Sequence, residues 1–481
     1  MGISILTPKT AINKNNKGSA LIQDHRALQP FLGKDGFVIG HQTRLNLKKS
    51  FEHLALIGPT GSGKSSTFFI PNLLNLQEGV SAVVTDPKGE LYWKTADDLR
   101  SRGFVPIRLA PFERSFPGYN ILAVANGYYE TKEIAQLILM NGALAFEVQG
   151  KSSGDSTWLN MSLPLLVAAF LYEKHMNPEC PKIGSALSII LEMSLEDMRR
   201  HFSKVKAARR EFNIFEQAAG SEKILASIRT TIATSMGLFM DEDVIDFAET
   251  NTIHPHHLRF GLDSDEAKRP VVLFISVDEM KSNYAAPLMA VIYQQLLQRV
   301  QDTANGRPVL FFLDEFANLG IIPIIDTVAA TARSRDIGLA IGLQGVEQLR
   351  QKYGDAKADN LLNNLKTKIF LSGLSTVSCS YASEFCGTAT VAQENLTMSW
   401  LSIIPKSKML SYVERPAMTP DEVRRLDPTQ MIVISDYLDA ALIKKIIYYE
   451  ELHLISRTRT SKTNFADESE YITMLQCMGA A

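Results

Sequence analysis

Apolar positions along the chain follow two patterns. In the first, short and nearly continuous apolar runs recur at Leu54–Ile57, Val80–Thr85, Phe104–Leu109, Val271–Val277, Val309–Leu313, Leu339–Leu343, Lys368–Leu371 and Met431–Ile434. Runs this short, rich in β-branched residues, predict strands buried on both faces. Stretches of helical spacing lie between them, and strand–helix alternation predicts an α/β domain: a mainly parallel sheet covered by helices on both sides. A short helix and a strand at Phe37-Val38-Ile39 are predicted between Gly18 and Gly40. In the second pattern, from about residue 128 to 250, strand signals are scarce. Ser156 to His175 is helical with a broad apolar face, Ser194 to Phe215 is helical and strongly basic, and Ser221 to Phe239 is helical with small residues and Arg229. This block reads as an all-α insertion in the α/β domain. Residues 1–17, polar and Asn/Lys-rich, are expected to be loose.

The first run leads into the chemistry. Leu54–Ile57 is followed by Gly58-Pro59-Thr60-Gly61-Ser62-Gly63-Lys64-Ser65, then by Ser66 and a helical pattern. Strand, Gly-x-x-x-x-Gly-Lys-Ser and helix in this order form a phosphate-binding loop. Its glycines let the backbone N–H groups curl inward, and the helix adds the positive end of its dipole. Lys64 would reach the outer phosphates of a nucleotide and the Ser65 hydroxyl would ligate Mg²⁺. The helix meets Pro71, which should end or kink it.

Val309–Leu313 ends in Asp314-Glu315. Ligands of open α/β sheets bind at the carboxyl ends of strands. There Asp314 would hold Mg²⁺ beside Ser65, and Glu315 would polarise the water that attacks the γ-phosphate. Gln344 ends another strand on the same side, either sensing the γ-phosphate and orienting the water or merely occupying a turn. Arg333 and Arg335 follow a helix that begins near Ile324. Either one acts as an arginine finger, or they balance the helix C-terminus.

Composition narrows the classes. The 481 residues suggest about two to four domains. With 45% hydrophobic and 21% charged residues and no run of the roughly 18 apolar residues a spanning helix needs, the chain is predicted to be soluble. A net charge of −2 gives no overall pull toward nucleic acid. Any such contact needs a local patch, and Arg199, Arg200, His201, Lys204, Lys206, Arg209 and Arg210 form either that patch or a solvated helix face. His254, His256 and His257 fit no single helix face, and Pro255 places them in a surface loop. Cys180, Cys379, Cys386 and Cys477 form no C-x-x-C pair, which suits a reducing cytoplasm and argues against zinc or disulfides.

Several stretches together resemble one family. The phosphate loop, Asp86-Pro87-Lys88-Gly89-Glu90, Leu313-Asp314-Glu315-Phe316-Ala317-Asn318-Leu319-Gly320, Ala332-Arg333-Ser334-Arg335 and the strand ending in Gln344 resemble the TraG-like coupling proteins, hexameric ATPases of type IV secretion and conjugation. Gly18-Ser19-Ala20 is similar to the segment after that family's membrane domain, and Arg415-Pro416 through Glu422–Leu426 to its C-terminal region, so the likeness covers about residues 18 to 450. The resemblance implies a RecA-like P-loop NTPase domain in two parts, 18–127 and 263–455, interrupted by an all-α domain at 128–262, with a tail at 456–481. It implies ATP and Mg²⁺ bound between subunits of a homo-hexamer, with Arg333 (Arg335 second) completing a neighbour's site. It also implies DNA as a relaxase complex, accessory proteins and secretion-channel components as partners, met at the cytoplasmic face of the inner membrane.

Family members usually carry two transmembrane helices before the nucleotide-binding domain, and nothing before residue 58 could span a bilayer. The chain is therefore expected to be either a truncated piece or one of a branch anchored through a partner. Two other readings share the motifs: a DNA-pumping ATPase of the FtsK or HerA type, and a docking platform that uses ATP only to assemble.

Overall fold

The computed structural model describes residues 18–113, 117–148, 156–218, 222–263, 265–303, 305–397 and 407–458. The expectations for 1–17 and for 459–481, with Cys477, lie outside the described residues.

A ten-stranded sheet forms the frame. Across it run Ile22–Gln23, Ala440–Lys444, Gln430–Ser435, Thr367–Phe370, Leu54–Ile57, Ile337–Leu343, Val309–Leu313, Ser81–Thr85, Val271–Ile275 and Val105–Leu109. From Thr367–Phe370 to Val105–Leu109 every neighbouring pair is parallel. Gln430–Ser435 and Ala440–Lys444 add an antiparallel edge. Successive strand residues point to opposite faces, so Ala55, Ile57, Val83 and Ile107 feed one core while Leu54, Leu56, Val84 and Phe312 feed the other. Both faces being covered is why these strands read as continuous apolar runs rather than alternating ones.

The chain leaves the sheet after Val105–Leu109 and returns to it in the paired neighbour Val271–Ile275. Between them the described residues are helical, including Gly127–Val148, Ser156–Met176, Ile183–Glu192 and Glu222–Ser235. These helices continue the core on the first sheet face. The link to the sheet's own Ser282–Asp302 helix is partly polar: Gln294 donates to Glu133 at 2.9 Å and Gln295 to the Ile121 carbonyl at 2.8 Å.

The basic stretch forms two helices rather than one, Leu195–Phe202 and Lys206–Ala218. The turn between them brings Phe202 against Phe212 with ring centroids 5.0 Å apart, a contact one straight helix could not make. A two-stranded ribbon, Thr388–Thr397 with Ser407–Pro416, has no counterpart among the predicted strands. Its residues mix polar and apolar types without a continuous run. No described helix is long and apolar enough to cross a membrane.

Candidate nucleotide site

The geometry starts from strand register. Ile337–Leu343 lies between Leu54–Ile57 and Val309–Leu313, pairing Leu343 with Ile57 and Ile341 with Leu313. Three strand ends therefore meet, and the residues just past them are Gly58, Gln344 and Asp314. Gly58 N–H donates to the Leu343 carbonyl at 2.9 Å, which anchors the loop to the middle strand.

Gly61 and Gly63 have φ of +78° and +91°, which side chains rarely adopt. A Cβ on Gly58 would come within 2.6 Å of Ser62 Oγ. That hydroxyl is buried without a partner, so the loop holds an unsatisfied polar group. Helical turns begin at Lys64, but Ser65–Phe69 is a wide π turn, with Ile70 N–H bonded to the Ser65 carbonyl. Pro71 does not end the helix, but the helix is irregular just before it: the π turn Ser65–Phe69 gives way to the α-helical piece Ile70–Leu74, with Pro71 in its first turn. The first turn of an α-helix tolerates proline because its N–H needs no partner there. Ser66 and Thr67 turn their hydroxyls back to the Gly63 carbonyl, at 3.1 and 2.7 Å; among the described residues no such bond holds Ser65.

Lys64 is buried. Its Nζ donates to the Gly58 carbonyl at 2.9 Å and lies 3.0 Å from Glu315 Oε1. Gln344 Nε2 donates to the other oxygen, Oε2, at 2.9 Å, and Gln348 Nε2 donates to Gln344 Oε1 at 3.1 Å. Glu315 is held in the left-handed region, φ +49°, a conformation that costs about 1–3 kcal/mol for a non-glycine residue. Asp314 lies beneath, accepting from Glu315 N–H at 2.9 Å. Gly342 makes room for it, since a Cβ there would sit 2.9 Å from Asp314 Oδ1. Burial, reinforced by the Glu315 carboxylate and opposed by Lys64, pushes Asp314 up to about 7. A buried carboxylate oxygen is a donor that fits a hard divalent cation. The curled loop with its lysine fits a phosphate. The two acids also line a small recess with Thr85, Ile275, Glu279 and Asn318.

Other residues at the site carried weaker sequence signals. Asp86 caps the Glu90–Ser101 helix, accepting from Leu91 and Tyr92 N–H at 3.1 and 2.8 Å, and burial pushes it up to about 6. Asp-Pro-Lys-Gly-Glu thus has a local structural reason. Lys445, buried, donates to the Ser62 carbonyl at 3.2 Å. No motif announced it, because it reaches the loop from a distant part of the chain.

Arg333 lies elsewhere. It occupies the turn Ala332–Arg335 that leads into Ile337–Leu343, whereas Gln344 follows that strand. Seven residues of strand separate the two ends, roughly 20 Å. Arg333 cannot reach its own chain's phosphate loop. It is 67% exposed and pairs with Glu52 at 2.8 Å. Arg335 is exposed beside it.

Arg199, Arg200, Lys204, Lys206, Arg209 and Arg210 are exposed, and His201 is half-buried. Arg199 pairs with Glu216, and Arg200 with Asp197 at 3.1 Å. Among the described residues no ion pair engages Lys204, Lys206, Arg209 or Arg210. His254 and His256 lie half-buried in the expected loop and its turn, but His257 is buried and opens the helix His257–Phe260. His256 and His257 each bring Nε2 to Asp263 Oδ2, at 3.0 and 3.2 Å. His257 Nδ1 accepts from His254 N–H, which places the His257 proton on Nε2, where it is donated to Asp263. The cluster is a proton-bonded network, since a metal on Nε2 would need that proton on Nδ1. Cys379 and Cys386 are buried thiols, raised by burial, the latter to about 12.

A phosphate loop on a parallel sheet, with one strand between it and a strand ending in two acids, defines a RecA-like P-loop NTPase fold. The chain belongs to the Type IV secretory system Conjugative DNA transfer family, whose profile matches residues 9–474. It is 24% identical over 412 residues to VirD4 of Agrobacterium fabrum, covering 83% of this chain and 59% of that protein. It is 24% identical over 412 residues to the conjugal transfer protein TraG of Escherichia coli, covering 78% of this chain and 62% of that one. The chain thus spans less than two thirds of the length of these relatives. Its fold is that of the plasmid coupling protein TrwB, solved in complex with ADP and Mg²⁺ (TM-score 0.67, 17% identity, 90% of this chain and 94% of that one).

Proposed function

We propose that the chain is the ATPase of a type IV secretion coupling protein, which recruits a relaxase–DNA complex or a protein substrate and uses ATP hydrolysis to drive its transfer. The observation that carries this reading is the convergence of Lys64, Glu315 and Gln344 on one loop in a member of the conjugative DNA transfer family. In this reading residues 18–127 and 263–455 form the nucleotide-binding domain and 128–262 an all-α domain.

Gly58 to Ser66 cradle the phosphates. Lys64 exchanges its pairing with Glu315 for the outer phosphate oxygens. Glu315, released, accepts a proton from the attacking water on Oε1 while Gln344 holds Oε2 and the water's orientation. Ser65 and Asp314 hold Mg²⁺, which supplies charge neutralisation at the phosphates. Because Arg333 stands at the opposite end of the sheet, it serves a neighbouring subunit, with Arg335 as second candidate. This requires a ring, taken to be a homo-hexamer. Lys204, Lys206, Arg209 and Arg210, with Arg199 and Arg200, contact DNA phosphates. Partners are the relaxase, accessory proteins and channel components, and the complex works at the cytoplasmic face of the inner membrane, with an anchoring partner for this chain.

The test is steady-state ATP hydrolysis with and without single- and double-stranded DNA, using Glu315→Gln as the blank. DNA-stimulated turnover that disappears in the blank supports the motor. Tight ATP binding with turnover no higher than the blank overturns it in favour of a docking platform.

A further inference from the structure

The Arg333 turn is fastened from inside the protein by a residue that no motif marks. Arg259 lies in His257–Phe260, the last helix before the chain returns to the sheet at Val271–Ile275. Only 3% of it is exposed. Its Nε and Nη2 donate to the Val300 carbonyl at 3.0 and 2.8 Å, its Nη1 to the Arg307 carbonyl at 2.8 Å, and its Nη2 also to the Arg335 carbonyl at 2.7 Å. One guanidinium thus ties together the end of the Ser282–Asp302 helix, the approach to Val309–Leu313, and the turn that carries Arg333. The Arg307 N–H returns a bond to the Arg259 carbonyl at 3.0 Å, and Gly306 packs so closely that a Cβ there would lie 2.6 Å from Arg259 Cβ.

Burying a charge is costly unless its donors are satisfied. Here carbonyl oxygens satisfy it, with no carboxylate paired to it among the described residues. An apolar side chain could fill the volume more cheaply. What it could not do is address three carbonyls in fixed directions, which the planar guanidinium fork does and a lysine ammonium does not. The turn needs such fixing: Asp336 follows in the left-handed region, φ +54°. The Arg333 guanidinium is set separately by Glu52, itself held by Lys49 at 2.6 Å.

We infer that Arg259 is a positioning residue for Arg333: it locks the backbone of the Ala332–Arg335 turn and makes that turn move with the end of the helical block. A displacement of His257–Phe260 then reaches the neighbouring subunit's site through one buried side chain. This rests on Arg333 acting in trans.

The experiment compares Arg259→Lys, Arg333→Ala and the double variant of the full chain in DNA-stimulated turnover, ATP affinity and amide exchange. Arg259→Lys should leave ATP affinity within about twofold and lower kcat by about 10- to 100-fold, the size of effect a slightly misplaced group produces. Exchange should quicken at residues 333–337 and not at the phosphate loop. The double variant should turn over no more slowly than Arg333→Ala, since a residue acting only through another adds nothing once that one is gone. Wild-type kcat in Arg259→Lys, multiplied losses in the double variant, or faster exchange spread to residues 58–66 would each overturn the inference. Wild-type turnover in Arg333→Ala is a separate outcome, which overturns the trans assignment and the catalytic part of this inference with it. Unchanged exchange at 333–337 in Arg259→Lys overturns the lock itself, whatever Arg333 does.

Discussion

Lys64 and Glu315 form an ion pair, 3.0 Å between Nζ and Oε1, although the strands they follow are separated by a third. The lysine side chain is 5% exposed and the glutamate 13%, so each is the other's main source of charge compensation. Removing one partner of a buried pair destabilises more than removing both. Lys64→Ala should therefore abolish ATP binding and also lower the melting temperature of the nucleotide-free chain. Lys64→Ala combined with Glu315→Gln should regain that stability without regaining binding. Calorimetric unfolding and nucleotide titration of the three variants separate the two effects.

Gln344 touches the same carboxylate from the other side. Gln344→Ala removes the donor to Glu315 Oε2 and should leave ATP affinity near wild type while kcat falls by about 10²-fold, the usual cost of one missing preorganised donor. Gln344→Glu should fall further, because it places a second carboxylate against Glu315. Equal losses in affinity and kcat would show that the amide holds the loop rather than the water.

Arg333→Ala should matter only in assembled rings, with kcat lower by up to about 10³-fold or more. Mixing Arg333→Ala with Glu315→Gln subunits should restore some turnover, since an intact arginine from one subunit can complete an intact acid pair in the next. Mixed rings as inactive as either parent would rule out action between subunits.

His53, just before the phosphate-loop strand, is buried with φ +66° and accepts Leu339 N–H on Nδ1 at 3.1 Å. Burial lowers it to about 4 from an ordinary 6.5. The unfolded chain takes up this proton below pH 6.5 and the folded chain does not until about pH 4. The stability of the neutral form is therefore present above about pH 6.5 and lost as pH falls through 4, on the order of 3 kcal/mol in all. Asparagine keeps an acceptor and tolerates the left-handed backbone. His53→Asn should make the fall of melting temperature between pH 6.5 and 4 shallower. It should not flatten it, because His254 is also lowered to about 4 by burial.

Binding to DNA through Lys204, Lys206, Arg209 and Arg210 should weaken steeply with salt. Replacing these four with glutamine should reduce the slope of log affinity against log salt, by about 0.9 for each duplex phosphate that is no longer neutralised. An unchanged slope would place the DNA-binding surface elsewhere.

The long-range parts of the molecule differ in how plainly they are written. Strands such as Val309–Leu313 are legible because burial on both faces demands apolar residues at every position. The short edge strand Ile22–Gln23 and the ribbon of Thr388–Thr397 with Ser407–Pro416 are not, because edges and ribbons carry no such demand. Pro71 fails to end the helix for a local reason: the wide turn at Ser65–Phe69 leaves the proline at the start of a helical piece, where its missing N–H does no harm. The basic stretch departs for a tertiary one, the Phe202–Phe212 packing that folds it into two helices.

What the sequence by itself determined is whatever local backbone chemistry dictates. That includes the phosphate loop, whose glycines must take left-handed φ, the acid pair at a strand end, and the succession of buried strands that makes a parallel sheet. Tertiary structure alone decided which distant groups meet. Lys445 reaches the Ser62 carbonyl, Glu52 holds Arg333, and Arg259 grips three carbonyls, yet none of these residues stands in a pattern. Parallel neighbours are joined by crossovers of many residues, so strand order is set by packing rather than by spacing along the chain. That order put one strand between Lys64 and Glu315, placed Gln344 between them, and left Arg333 at the opposite end of the sheet.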